Sequence, residues 1–191
     1  MHNNLPKFFL FINSFKEEYI RKLDKRIAII YRNYSAKTDI KIIKKIKNFC
    51  RKDKRKFFLS NNISLAISLN LDGLYLPAFN QELNIKKFNT KKKFLIIGSA
   101  HSVKEMRIKE RQGVQIIFLA PLFKTSKNSN FLDVVKFNLL TFKTNRKVVA
   151  LGGINKKNIR KLKMIDLHGF AGITYFENNG KVNFFKNEYK K

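Results

Sequence analysis

The chain is 191 residues long and carries 41 Lys and Arg against 13 Asp and Glu, a net charge of +28. Its hydrophobic content of 44%, with 19 Phe, supplies a core and excludes a disordered tail or a purely electrostatic coat protein. A single cysteine, Cys50, excludes a disulfide framework or a cysteine zinc site, and no apolar run approaches the roughly 18 residues of a membrane span.

In chain order, residues 7–13 read as a strand whose apolar centre is too short for a signal-peptide core. Residues 14–25 have helical period, with Ser14 as N-cap and Glu17 completing a capping box. Further strands are expected at 27–31, 56–60, 73–76, 94–98, 115–120, 147–152 and 169–175. Most are continuous apolar runs, the pattern of strands buried on both faces. Helical segments separate them at 39–51, 62–70, 103–112, 133–142 and 155–165. The first of these puts Ile42, Ile43, Ile46 and Phe49 on one face; Gly113 closes the third, and Asn155 is the expected N-cap of the last.

This repetition, without a Pro/Gly-rich linker, predicts one α/β domain over 1–191. Eight strands favour a compact closed (β/α)8 barrel, a TIM barrel, over an open sheet. The barrel proper is expected over 5–176, with an abbreviated last helix and a basic tail at 177–191. The expected location is cytoplasmic, with no membrane contact.

The charge invites a nucleic-acid reading, but its composition argues against one. Lys, Asn, Ile and Phe, which share AT-rich codons, number 32, 21, 21 and 19, and Lys outnumbers Arg 32 to 9. Nucleic-acid interfaces lean on Arg for bidentate contacts, and these lysines are spread over nearly every segment. A positive field steering anionic, phosphorylated substrates is the consequence that survives.

Barrels of this kind carry their chemistry on the loops after the strand C-terminal ends. Arg32 follows the second strand, Ser60 and Asn61 the third, and Asn80 lies beyond the fourth. Ser99 and His101 follow the fifth, Thr125 and Lys127 the sixth, Gly152-Gly153 the seventh, and Ile173-Thr174 the eighth. Arg32, just past a buried run, calls for an anion, either a substrate phosphate or an internal carboxylate such as Asp39 or Asp72. Gly152-Gly153 permits close backbone approach to a ligand at the loops where barrels commonly hold phosphate; the alternative is a tight turn capped by Asn155. His101 is either an acid–base or ligand contact at the mouth, or a structural hydrogen-bond partner.

These residues together resemble the thiamine phosphate synthases and their relatives, the thiazole tautomerases, over roughly residues 5 to 176. Leu65-Ala66 with Leu71-Asp72-Gly73-Leu74-Tyr75-Leu76 is similar to the family's LA…ADGVHL, and Ile97-Gly98-Ser99-Ala100-His101-Ser102 to its GxSxHS. Ala120-Pro121-Leu122-Phe123-Lys124-Thr125 resembles GPxFPT, Ala150-Leu151-Gly152-Gly153-Ile154 with Asn158 resembles AIGGIxxxN, and Gly169-Phe170-Ala171 the last strand's GxA.

The resemblance implies an Mg²⁺-assisted reaction of a hydroxymethylpyrimidine diphosphate with a phosphorylated thiazole, releasing pyrophosphate. It implies diphosphate binding by Arg32, which matches the arginine of QxRxK, and phosphate binding by Ser99. Thr125 matches a threonine near the thiazole, and Gly152, Gly153 and Thr174 its phosphate cradle, with threonine standing where serine is usual; Ile173 beside them is expected to touch substrate. Departures accompany these matches. The Gln and Lys of QxRxK fall on Ile30 and Tyr34, and the lysine of TxTK on Asn128, with Lys127 one step away. The two metal-binding aspartates become Asn61, after Ser60, and Asn80, so the implied Mg²⁺ site lacks the charge that this hard cation favours. A tautomerase using His101, and a phosphate-binding barrel without turnover, stay open beside the synthase; so does a homo-oligomer.

Overall fold

The computed structural model describes residues 5–34, 39–126, 129–173 and 175–176. Eight parallel strands close into a barrel in sequence order: β1 (Phe8–Ile12), β2 (Ile27–Tyr31), β3 (Phe57–Ser60), β4 (Gly73–Leu76), β5 (Leu95–Ala100), β6 (Ile116–Leu119), β7 (Lys147–Leu151) and β8 (Gly169–Gly172). The ring is closed by β1 and β8, with Phe9 opposite Ala171. Helices α1 (Glu17–Lys22), α2 (Ile40–Lys52), α3 (Ile63–Ser68), α4 (Val103–Arg111) and α5 (Asp133–Thr141) cover the outside, with 3-10 turns at Leu83–Lys87 and Ile159–Met164. No described helix is long and apolar enough to cross a membrane.

Alternation along each strand divides the core into two shells. Inward residues Phe9, Phe11, Ala28, Ile30, Phe58, Tyr75, Leu95, Ile97, Ile116, Phe118, Val149 and Ala171 fill the barrel. The rings of Phe9 and Phe118 meet edge to face at 4.8 Å, Phe11 and Tyr75 at 5.1 Å, and Tyr75 and Phe118 at 5.6 Å. The outward set packs beneath the helices, where Ile43, Ile46, Phe49 and Cys50 give α2 its buried face. Arg55, only 3% exposed, ties this shell to the barrel's lower end. Its guanidinium donates to the carbonyls of Ile20, Leu23 and Asp24, and to Asp53, satisfying the open C-terminus of α1.

Helix boundaries depart from the sequence expectation in two places, at the start of α1 and at 155–158. α1 begins at Glu17, with Lys16 at its cap position and no side-chain cap, because Phe15 packs on Phe49 at 5.6 Å instead of entering a turn capped by Ser14. Between β4 and β5, where no helix was expected, the chain holds a 3-10 turn. Residues 155–158 do not start an α-helix: Asn155 Oδ1 accepts the backbone N–H of Lys157 and Asn158, and Asn158 Oδ1 accepts that of Asn155. These side chains offer the backbone an alternative to the helix, and a 3-10 turn follows from Ile159. Asp39, Asn62 and Ser102, which the sequence did not single out as caps, cap α2, α3 and α4, and Gly113 takes φ +81 after α4 as expected. The abbreviated last helix and the tail at 177–191 lie outside the described residues, apart from Tyr175 and Phe176.

Candidate active site

The strand period decides which side chains reach the barrel mouth. Continuing the inward series two residues past Ile30, Phe58, Ile97 and Ala171 gives Arg32, Ser60, Ser99 and Ile173. Ser99 lies within β5 itself, because that strand runs to Ala100, two residues further than expected. It is 5% exposed, one of few buried polar side chains.

Arg32, Tyr75 and Ser99 form one polar group above the aromatic core. The Arg32 guanidinium lies over the Phe11 ring, 4.7 Å from its centroid, a cation–π contact that holds the charge at the mouth. Burial pushes the Tyr75 phenol up to about 12, against hydrogen bonds with Ser99 and Arg32 that favour its ionised form. Neither expected decoy takes Arg32: Asp72 accepts from Lys56 and Phe57 N–H, and Asp39 caps α2. Among the described residues Arg32 has no carboxylate partner, so its charge is available to a ligand. A cavity of about 490 Å³ opens beside it, lined also by Phe11, Asn13, Ser14, Lys16 and Ile173. Next to this group the Tyr34 hydroxyl shares a 2.9 Å hydrogen bond with Ser60.

Asn61 and Asn80 come together, but as partners of each other. Asn80 Nδ2 donates to Asn61 Oδ1 at 2.8 Å, while Asn80 Oδ1 accepts from Gln112 Nε2 at 2.8 Å and from Glu82 N–H at 3.1 Å. Behind them the Lys109 ammonium, fully buried, donates to the carbonyls of Pro77 and Asn80 and to Gln112 Oε1. Burial pushes this ammonium down to about 8, with Glu105 opposing, so it is still protonated at neutral pH. Mg²⁺ requires oxygen ligands, preferably anionic. Both amide oxygens are taken by N–H donors, a cation lies behind them, and the described residues contain no cluster of three His, Cys, Asp or Glu. The donor set does not fit the metal that the resemblance implies.

On the far side of the mouth the backbone takes over. Gly152 and Gly153 have φ +95 and +69, and the loop after β6 presses on them: a Cβ on Gly153 would lie 2.4 Å from the Lys124 carbonyl oxygen. Phe123 N–H donates to the Gly152 carbonyl, stitching the two loops together. Asn158 and Asn155 donate to the Gly153 carbonyl at 2.8 and 3.3 Å. Because C=O and N–H of a trans peptide point opposite ways, this fixes the Ile154 N–H away from those side chains. Thr125 is half-buried in the loop after β6. Lys127 and Thr174 lie outside the described residues.

His101 stands apart from the Arg32 group. Its Nδ1 is 2.7 Å from the Ala120 carbonyl, which can only accept, so Nδ1 carries the hydrogen. Its backbone N–H donates to Glu105 at the start of α4. Sequence reasoning singled out neither Tyr75 nor the pair Lys109 and Gln112. Tyr75 lies level with Ser60 and Ile97 in the strand register, two residues past Gly73 on the inward face of β4, and that period of two was its signal; Lys109, in a run rich in charge, carried none.

The model for the family described as "Thiamine monophosphate synthase" matches residues 17–176. The chain is similar to the thiamine-phosphate synthase of Fusobacterium nucleatum, 26% identical over 160 residues, covering 83% of this chain and 78% of that one. It is also similar to that of a Prochlorococcus marinus strain, 33% identical over 135 residues, 67% of this chain but only 36% of its longer relative. In structure it is similar to "Thiamine phosphate pyrophosphorylase from Pyrococcus furiosus", with TM-score 0.76 at 22% identity over 92% of this chain and 89% of the other, a likeness of fold. With the family match spanning most of a barrel whose polar side chains converge on one mouth, the chain belongs to the thiamine monophosphate synthase family, enzymes of thiamine biosynthesis.

Proposed function

We propose that this protein joins a hydroxymethylpyrimidine diphosphate to a hydroxyethylthiazole phosphate, giving thiamine phosphate and pyrophosphate. The carbon–oxygen bond to the diphosphate breaks, its electron pair leaving with pyrophosphate, and the thiazole nitrogen lone pair forms the new carbon–nitrogen bond. No proton moves in that step, so the barrier lies in stabilising the leaving charge.

The observation that carries this reading is Arg32, held over Phe11 beside Tyr75 and Ser99 with no carboxylate partner among the described residues. An arginine fork and hydroxyl donors together suit a diphosphate that gains charge as it leaves. Across the mouth, the Gly152-Gly153 loop would receive the thiazole phosphate through backbone N–H groups. The aromatic floor of Phe11, Tyr75 and Phe118 shields the cation from below, and the positive surface draws both anions in.

Incubating the purified protein with both substrates and Mg²⁺ and following thiamine phosphate by chromatography tests the reading. Product is expected, and His101→Ala should cost little. Absence of product at saturating substrates, with His101-dependent isomerisation of the thiazole, would replace the synthase with a tautomerase.

A further inference from the structure

The amides between β3 and β4 are ordered by two groups whose direction is fixed by chemistry. Lys109 can only donate, so the oxygen of Gln112 faces it, and the Gln112 amide nitrogen faces Asn80. The Glu82 N–H, also donor only, fixes the Asn80 oxygen on the same side, which turns the Asn80 nitrogen toward the Asn61 oxygen. Gln112 Nε2 also donates to the Glu82 and Asn80 carbonyls, and the side-chain series runs one way: ammonium to Gln112, Gln112 to Asn80, Asn80 to Asn61. The chain ends on the amide nitrogen of exposed Asn61, whose N–H groups find no acceptor among the described residues. Hydrogen bonds in such a series polarise one another, so the far end is a stronger donor than a lone amide.

The surrounding structure makes room for the buried cation. A Cβ on Gly98 would lie 3.1 Å from Lys109 Cδ and 2.9 Å from the Leu76 carbonyl oxygen, so the lysine stem passes where a larger residue could not sit. Lys109 and Gln112 are both fully buried, one turn apart at the end of α4. Asn61 is held at φ +57 by its N–H bond to the Tyr75 carbonyl, next in sequence to Ser60 of the mouth.

We infer that this sector is a metal-free anion subsite, in which Lys109 acts through Gln112 and Asn80 to make Asn61 a hydrogen-bond donor to the departing diphosphate. Lys109, Gln112 and Asn80 are positioning residues, and of these four only Asn61 touches the ligand. This rests on the synthase reading, since a diphosphate must reach the β3–β4 side of the mouth.

Titration of the full chain with inorganic pyrophosphate by calorimetry, in EDTA and separately in excess Mg²⁺, tests the inference. Manganese titration followed by electron paramagnetic resonance reports metal binding by the protein alone. Pyrophosphate should bind in EDTA, and free Mn²⁺ should not bind. Asn61→Asp, at an exposed site, should weaken pyrophosphate in EDTA by about tenfold or more, the loss of a hydrogen bond to a charged group plus repulsion. Lys109→Met should weaken it less, with the phosphorylated thiazole unaffected; if that variant does not fold, the Asn61 result and the EDTA comparison decide alone. Pyrophosphate binding that needs Mg²⁺, Mn²⁺ bound by the free protein, or an Asn61→Asp variant as tight as the parent would each overturn the inference. In those cases thiamine phosphate formation with Mg²⁺ would still stand, so the two readings fail separately.

Discussion

The mouth of the barrel is furnished differently on its two sides. From β2 to β5 it presents side chains: Arg32, Tyr34, Ser60, Asn61, Tyr75 and Ser99, held by hydrogen bonds and ring contacts. From β7 to β8 it presents backbone, a Gly152-Gly153 turn pressed against the loop after β6 and fixed by Asn158. Most departures from the motifs of the related synthases fall on the first side, at Ile30, Tyr34, Asn61 and Asn80; Asn128 and Thr174 are others, whereas the glycine pair is retained. Physical reasons account for the asymmetry. Side chains can be exchanged while a strand end stays in place, and the lost charge can be resupplied from below by another residue such as Lys109. A turn whose missing Cβ would meet a carbonyl oxygen at 2.4 Å has no equivalent exchange.

The largest effect is expected where that comparison is sharpest. Gly153→Val adds a Cβ against the Lys124 and Phe123 carbonyls and forces a β-branched residue to φ +69. A stability loss of about 1–3 kcal/mol from the backbone strain alone is expected, together with loss of thiazole-phosphate binding. Thermal unfolding and calorimetry measure the two. Intact affinity would show that the glycines serve loop packing only.

On the side-chain face, Arg32→Ala should weaken inorganic pyrophosphate by about 10–100-fold, the worth of a hydrogen bond to a charged group. The fold should persist, because the guanidinium rests on Phe11 and no carboxylate among the described residues is left unpaired by its loss. Thiazole-phosphate affinity should hardly change. Equal weakening of both ligands would mean that Arg32 acts through the overall field and not at one subsite.

How much of this was legible in the sequence follows the same division. The strands could be read because each is a nearly continuous apolar run, and their inward positions then place Arg32 and Ser60 by counting in twos. The glycine turn was legible from its place after the seventh strand. Residues 155–158 were not, since Asn155 and Asn158 satisfy each other's backbone and Gly153's, a choice that composition cannot separate from an N-cap. Lys109 was hidden for a different reason. It sits among Lys104, Glu105, Arg107, Glu110 and Arg111, a pattern of solvated helix, and becomes internal only because the loop after β4 brings the Pro77 and Asn80 carbonyls to it. Two asparagines in place of aspartates were visible, but the direction of their amides is set by that lysine.

A smaller effect concerns Tyr75. At neutral pH, Tyr75→Phe removes hydrogen bonding to Ser99 and Arg32 and should cost about 1 kcal/mol. Above pH 10 the phenol of the unfolded chain ionises, while the buried one keeps its proton to about 12. The folded state then binds more protons than the unfolded one, so stability contributed by the tyrosine is lost as pH rises from 10 to 12. Phenylalanine escapes that loss. Urea unfolding of both proteins should show the gap between them closing and then reversing across this window; a constant gap would place the phenol in contact with water.

The smallest effect probes the most exposed departure. Tyr34 stands where the related motif has lysine, 52% exposed, hydrogen-bonded to Ser60 and edge-on to Phe79 at 5.5 Å. Tyr34→Lys adds a charge near Arg32 but removes that ring contact and hydrogen bond. An exposed ion pair contributes about 0.2–1 kcal/mol, so pyrophosphate should bind at most about fivefold tighter at low salt, an advantage that screening should erase near 0.5 M salt. The same substitution separates the two sources of charge at the mouth. If the buried Lys109 chain already supplies what the motif's lysine would, the gain should be small in the parent and larger in Lys109→Met. Equal gains in both backgrounds would mean that the two cations act independently, and that Tyr34 is a change the barrel accommodates through Phe79 alone.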